Sequence, residues 1–137
     1  MNSVKKQIKK LAETYGLQII YAFGSRAKEI LEVVEGKKLA ASKTKSDLDI
    51  GIKPEKPLNI KEKVAIAIFF EDLFRLSKVD VVVIPEAPIS LAFEIVKGEV
   101  LYAKDEKFEA EYQLTIMRMM ADLMPHLRMK RKLILGT

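Results

Sequence analysis

Ala22-Phe23-Gly24-Ser25-Arg26, and further on Ser46-Asp47-Leu48-Asp49-Ile50-Gly51, are the two pieces of sequence on which the reading of this chain turns. The first is a Gly-Ser turn that closes an apolar run. The second places two aspartates at the mouth of another apolar run. Side chains alternate across a strand, so Asp47 and Asp49 share one face while Leu48, Ile50 and Ile52 take the other and can be buried. Two carboxylates set side by side repel each other, and a cation relieves the conflict. Carboxylate oxygens suit Mg²⁺, which normally keeps one or two carboxylates, phosphate oxygens and water. Gly24 lets a backbone approach a phosphate closely. The residues after it have helical composition, so their free N–H groups and dipole favour an anion. The Ser25 hydroxyl adds a donor and Arg26 adds charge. Taken singly, each piece has a plain structural explanation: solvated aspartates at a strand entrance, and a Gly-Ser loop that caps a helix.

Working outward, the chain alternates helices and strands. Val4, Ile8, Leu11 and Tyr15 recur at helical spacing with lysines between them, which predicts a helix over Ser3–Tyr15 ended by a left-handed Gly16. Leu17–Phe23 is a buried strand by its β-forming run. A helix follows over 26–34, then a turn at 35–38 and an exposed Lys/Ser/Thr-rich loop to 45. The second strand runs 47–52, and Pro54 and Pro57 break what comes next. Asn59 and Glu62 form a capping box for a helix over 60–76, with Val64, Ile68, Leu73, Leu76 and nearby Phe69 as its apolar face. The run Val-Asp-Val-Val-Val-Ile at 79–84 predicts a central strand buried on both sides. Asp80 stands out in it, because a buried carboxylate is costly unless a metal or a lysine partners it. A short helix over 89–97 capped by Gly98, a strand at 100–103 and a long helix over about 105–131, kinked or ended by Pro125, complete the chain.

Composition narrows the classes. The 137 residues are 49% hydrophobic and 31% charged, the balance of one globular domain. No cysteine is present, which excludes disulfides and thiolate metal sites, and the single His126 excludes a histidine-rich centre. The net charge of +5 suits a phosphate-bearing ligand or an acidic partner and does not by itself imply nucleic-acid binding. No apolar run approaches the ~18 residues of a membrane span, and no targeting segment is seen, so a cytoplasmic protein is expected.

Gly24-Ser25, Asp47-Leu48-Asp49 and a later strand carrying Asp80 together resemble the signature of the DNA polymerase beta-like nucleotidyltransferase superfamily. The size, and Gly98-Glu99-Val100-Leu101-Tyr102 before a last helix, look like its minimal members, the MNT antitoxins of HEPN/MNT toxin–antitoxin systems. The resemblance implies an α+β, two-layer nucleotidyltransferase fold, with a small mixed sheet packed against helices and a C-terminal helix. It implies one domain over 1–137. It also implies that Asp47, Asp49 and Asp80 are catalytic and hold two Mg²⁺ ions, that Gly24, Ser25 and Arg26 bind the phosphates of ATP, and that AMP passes to a hydroxyl, a tyrosine, of a HEPN toxin partner. A binding module that occludes its partner, through the Met-rich C-terminal region and basic tail, is the alternative, as is transfer to a small molecule. Core packing is the expectation for most of those methionines. The sequence departs from the family in one place: 21 residues, 26–46, separate Ser25 from Asp47, about twice the family's usual spacer. The excess reads as an insertion at 29–45.

Overall fold

The computed structural model describes residues 3–42 and 47–135. Ser46 and the end of the 29–45 insertion lie outside the described residues. The elements run α1 (Ser3–Tyr15), β1 (Leu17–Phe23), α2 (Ala27–Val34), β2 (Leu48–Pro54), α3 (Ile60–Phe74), β3 (Val79–Val83), a 3₁₀ turn (Ile84–Glu86), α4 (Ile89–Val96), β4 (Glu99–Ala103) and α5 (Glu106–Leu135). The four strands form one mixed sheet in the order β3-β2-β1-β4. β1 is antiparallel to both β2 and β4, and β2 is parallel to β3. This is the expected α+β architecture with a small mixed sheet and a C-terminal helix.

Two apolar clusters sandwich the sheet. On one face Ile8, Leu11, Ile30, Val33, Ile66, Phe70 and Phe74 of α1, α2 and α3 pack on Ile20, Leu48, Ile50 and Ile52. On the other, Ala92, Ile95 and Val96 of α4 and Ile116 of α5 cover Ile19 and Tyr21. The second cluster extends the two-layer expectation with a smaller layer. Tyr21 is fully buried, and its hydroxyl donates to Glu109 Oε2 at 2.6 Å. Burial and that carboxylate push the phenol's pKa up. Glycines set the close approaches. A Cβ on Gly51 would stand 2.3 Å from Ile95 Cγ2, and one on Gly98 2.3 Å from the Ala22 carbonyl oxygen. α4 and its exit turn therefore press directly on the sheet.

Several expectations change. β3 is an edge strand, not a central one. Its run is apolar apart from Asp80 because even an edge strand here is covered on both faces: Val79, Val81 and Val83 belong to the first cluster and Val82 to the second. α3 is apolar on nearly every side, so its composition does not mark the buried face. That face is Ile66, Phe70 and Phe74, while Val64 and Ile68 are about half exposed. Its Asn59–Glu62 capping box forms as read. Pro125 does not end α5, which runs 30 residues to Leu135. The methionines of α5 are not core: none from Met117 onward is buried, and Met119, Met124 and Met129 are exposed.

Truncating Phe70 to alanine should cost about 3–5 kcal/mol in denaturant unfolding. Val64→Ala, on the face the spacing first suggested, should cost less than about 1 kcal/mol.

Candidate active site

Sheet register assembles the acidic patch. Asp49 pairs with Asp80 on the parallel side and with Phe23 on the antiparallel side, so the three residues stand in one row. The neighbouring row, Tyr21, Gly51 and Val82, lies under α4 and is sealed. The carboxylate row sits just beyond that cover, at the C-terminal end of β1. Asp47 immediately precedes β2 and joins the patch from there. Asp47 and Asp80 have 44% and 45% of their side chains exposed. Asp80 is therefore not the deeply buried charge that a central strand would have made it.

The patch is electrostatically frustrated. Burial, then the charges of Asp80 and Asp47, raise the Asp49 pKa, and Lys78 opposes them. Lys78 Nζ stands 3.7 Å from both Asp47 Oδ2 and Asp80 Oδ1. Lys78 lies two residues before Asp80, on the same side of the chain as that carboxylate, and strand alternation alone could have found it. Among the described residues, no group of three His, Cys, Asp or Glu side chains is drawn in closely enough to hold a metal ion. The chemistry of the donor set nevertheless fits a hard divalent cation. It consists of carboxylate oxygens that repel one another, on side chains exposed enough to turn inward, with an ammonium already acting as counter-charge.

The Gly-Ser turn meets the patch directly. Gly24 has φ +77, and a Cβ there would lie 2.6 Å from Asp49 Oδ2. Only glycine lets the end of β1 lie so close to that carboxylate. Ser25 is exposed, and Arg26 enters α2 as its N-cap. On the other side of the turn is an open groove of about 580 Å³, lined by Gly24, Ser25, Lys28, Lys97 and Gly98, with Glu94 and Glu99 at its walls.

Arg26 is buried, at 4% exposure, beside the turn whose phosphate-binding role it is expected to share. It donates to Glu29 Oε1 at 2.6 Å and to the Ser42 carbonyl. Glu29 also accepts from Lys38 Nζ at 2.8 Å, Ser42 Oγ at 2.6 Å and Ser42 N at 3.1 Å. The insertion is thus tied back to the start of α2 through Nη2 of the guanidinium. The cations that do line the groove beside the turn are Lys28 and Lys97. Neither stood out in the sequence, which has lysines throughout.

The fold and this site define a class: a nucleotidyltransferase domain, with a Gly-Ser turn at the end of one strand and an acidic row across the next two. The chain belongs to the polymerase beta nucleotidyltransferase family, whose model, "Polymerase beta, Nucleotidyltransferase", matches residues 6–107. No curated protein matches it. Solved structures share its fold. One is a chain of a toxin–antitoxin complex with AMP-PNP, 21% identical over 96% of this chain and 95% of that one, with a TM-score of 0.64. Another comes from the MntA-HepT toxin–antitoxin, 19% identical over 99% and 97%, with a TM-score of 0.64. A third is from a tri-AMPylated Shewanella oneidensis HEPN toxin in complex with MNT antitoxin, 20% identical over 97% and 93%, with a TM-score of 0.63.

The Glu29 anchor has a pH signature. The Arg26, Lys38 and Ser42 bonds hold its pKa at about 2, against an ordinary 4.5. A folded pKa below the unfolded one means that the stabilisation is complete above about pH 4.5 and fades as pH falls toward 2. Glu29→Gln should lower stability at pH 7, and it should flatten the loss of stability between pH 4.5 and 2 relative to wild type in acid-titrated urea unfolding.

Proposed function

We propose that this chain transfers AMP from ATP to a side-chain hydroxyl, a tyrosine, of a HEPN-class partner toxin and silences it by that modification. The observation that carries the reading is the meeting of Asp47, Asp49 and Asp80 in one patch against the Gly24-Ser25 turn. The family is a nucleotidyltransferase family. Complexes that share the fold include one with AMP-PNP and one whose HEPN toxin carries AMP.

Asp47 and Asp49, completed by Asp80, would hold two Mg²⁺ ions. When bound, these ions supply charge neutralisation on the phosphates and on the attacking oxygen. Gly24 and Ser25 bind the outer phosphates through the N–H groups entering α2 and the Ser25 hydroxyl. Arg26 adds its charge beneath the turn, and Lys28 and Lys97 add theirs beside it, Lys97 shared with Glu94 at 3.1 Å. Asp80, 45% exposed on the edge strand, receives the proton of the acceptor hydroxyl. That oxygen bonds to the α-phosphorus, the bond from the α-phosphorus to the bridging oxygen breaks, and pyrophosphate leaves. Catalysis here is positioning and charge stabilisation more than covalent chemistry.

Silencing by occlusion alone is the second reading, favoured by the exposed apolar side chains of α5. Mass spectrometry separates the two. With ATP, Mg²⁺ and a HEPN partner, the partner should gain the mass of AMP. Asp47→Asn, folded as wild type, should reduce the rate on the order of a hundredfold or more. Full neutralisation without a mass gain would select occlusion, and undiminished transfer by Asp47→Asn would remove that carboxylate from the mechanism.

A further inference from the structure

α5 is anchored only over its first turns. Phe108 and Tyr112 pack against the α4-side cluster, Gln113 Nε2 donates to the Val96 carbonyl at 2.7 Å, and Ile116 is buried. Beyond Ile116 no described residue of the helix is buried. The remaining residues, 117–135, run on for about 28 Å at the α-helical rise. An unpacked helix of that length, with Pro125 inside it, is marginal on its own.

Its side chains are not those of a solvated end. Ile116, Met120, Leu123, Leu127 and Ile134 fall at alternating four- and three-residue steps, with Lys130 filling the step between the last two. This is the seam of a helix that pairs with another helix, and it continues the stripe that Phe108, Tyr112 and Ile116 bury against the body. Met124, Leu127 and Ile134 are 41%, 45% and 71% exposed. The same segment carries Arg118, Arg128, Lys130, Arg131 and Lys132 against Asp122 alone, which is four of the chain's five net positive charges.

We propose that residues 117–135 form the docking arm for the partner protein, and that they seat on an acidic helical face whose apolar groove takes the seam and whose carboxylates meet Lys130, Arg131 and Lys132. This rests on the partner-toxin reading above and adds to it the surface and the chemistry of recognition. A second copy is disfavoured because two such arms bring like charge together. A nucleic acid would neutralise the cations but leave Leu127, Leu133 and Ile134 in water. A bilayer would have to accept Lys130 within the apolar stripe. A buried Lys130 facing a partner carboxylate would also fix the register of the pair.

The test uses the full chain and a purified HEPN-class partner in titration calorimetry, with AMP transfer read in parallel. Two variants change exposed positions only: Met124→Ser with Leu127→Ser and Ile134→Ser, and Arg128→Glu with Lys130→Glu and Arg131→Glu. Both should keep the wild-type unfolding midpoint of the body. Each should weaken binding at least about tenfold. The charge variant should also lose most of the salt dependence of binding. Asp49→Asn, with an intact arm, should bind as wild type, so loss of transfer with binding retained marks failure of chemistry and not of docking. Wild-type affinity in both arm variants would overturn the proposal, as would an absence of any wild-type complex. So would arm variants that lose only self-association, or only binding to RNA or to anionic phosphatidylserine vesicles, while binding the partner normally.

Discussion

The mutual repulsion of Asp47, Asp49 and Asp80 is the constraint around which the rest of the structure is arranged. Parallel pairing of β2 with β3 sets Asp49 opposite Asp80, and the entry to β2 brings Asp47 beside them. A carboxylate row of this kind weakens a sheet unless something cationic answers it. Lys78 answers two members at a distance, and Asp49 keeps a raised pKa. The neighbouring row is filled in the ordinary way, with Ile95 of α4 seated on Gly51. The sheet is thus sealed up to the acidic row and left open at it. An unsatisfied charge cluster at the edge of a well-packed core is how a site for a charged ligand is prepared, at some expense to stability.

The turn and the insertion serve that opening. Gly24 takes a left-handed conformation and lies against the Asp49 carboxylate. The first turn of α2 is then held by Arg26 and Glu29, which bind Ser42 and so return the inserted loop toward the same end of the sheet. The insertion is therefore fastened to the start of α2 through a part-buried ion pair. Removing one partner of such a pair is costlier than never having had it, because the other is left without compensation.

Much of this was legible in the sequence where local chemistry decides. The boundaries of α1 and β1, the left-handed Gly16, the Asn59–Glu62 cap and the burial of Leu48, Ile50 and Ile52 opposite Asp49 all follow from spacing and propensity. What was not legible depends on partners distant in sequence. β3 looks central by composition, yet its edge position is a matter of topology. α3 is apolar all round, so periodicity could not select Phe70 over Val64. The bond from Arg26 to the carbonyl of Ser42, sixteen residues on, has no local signal in the sequence. The methionines of α5 resemble core residues because nothing local says that the body ends at Ile116.

Relief of the acidic row's repulsion by a cation is tested most directly by unfolding measured with and without Mg²⁺. Without Mg²⁺, Asp49→Asn should be more stable than wild type at pH 7, because it removes a charge from the row. Mg²⁺ should raise the wild-type midpoint and leave the variant nearly unmoved. A wild type indifferent to Mg²⁺, together with an Asp49→Asn variant less stable than wild type, would contradict the account.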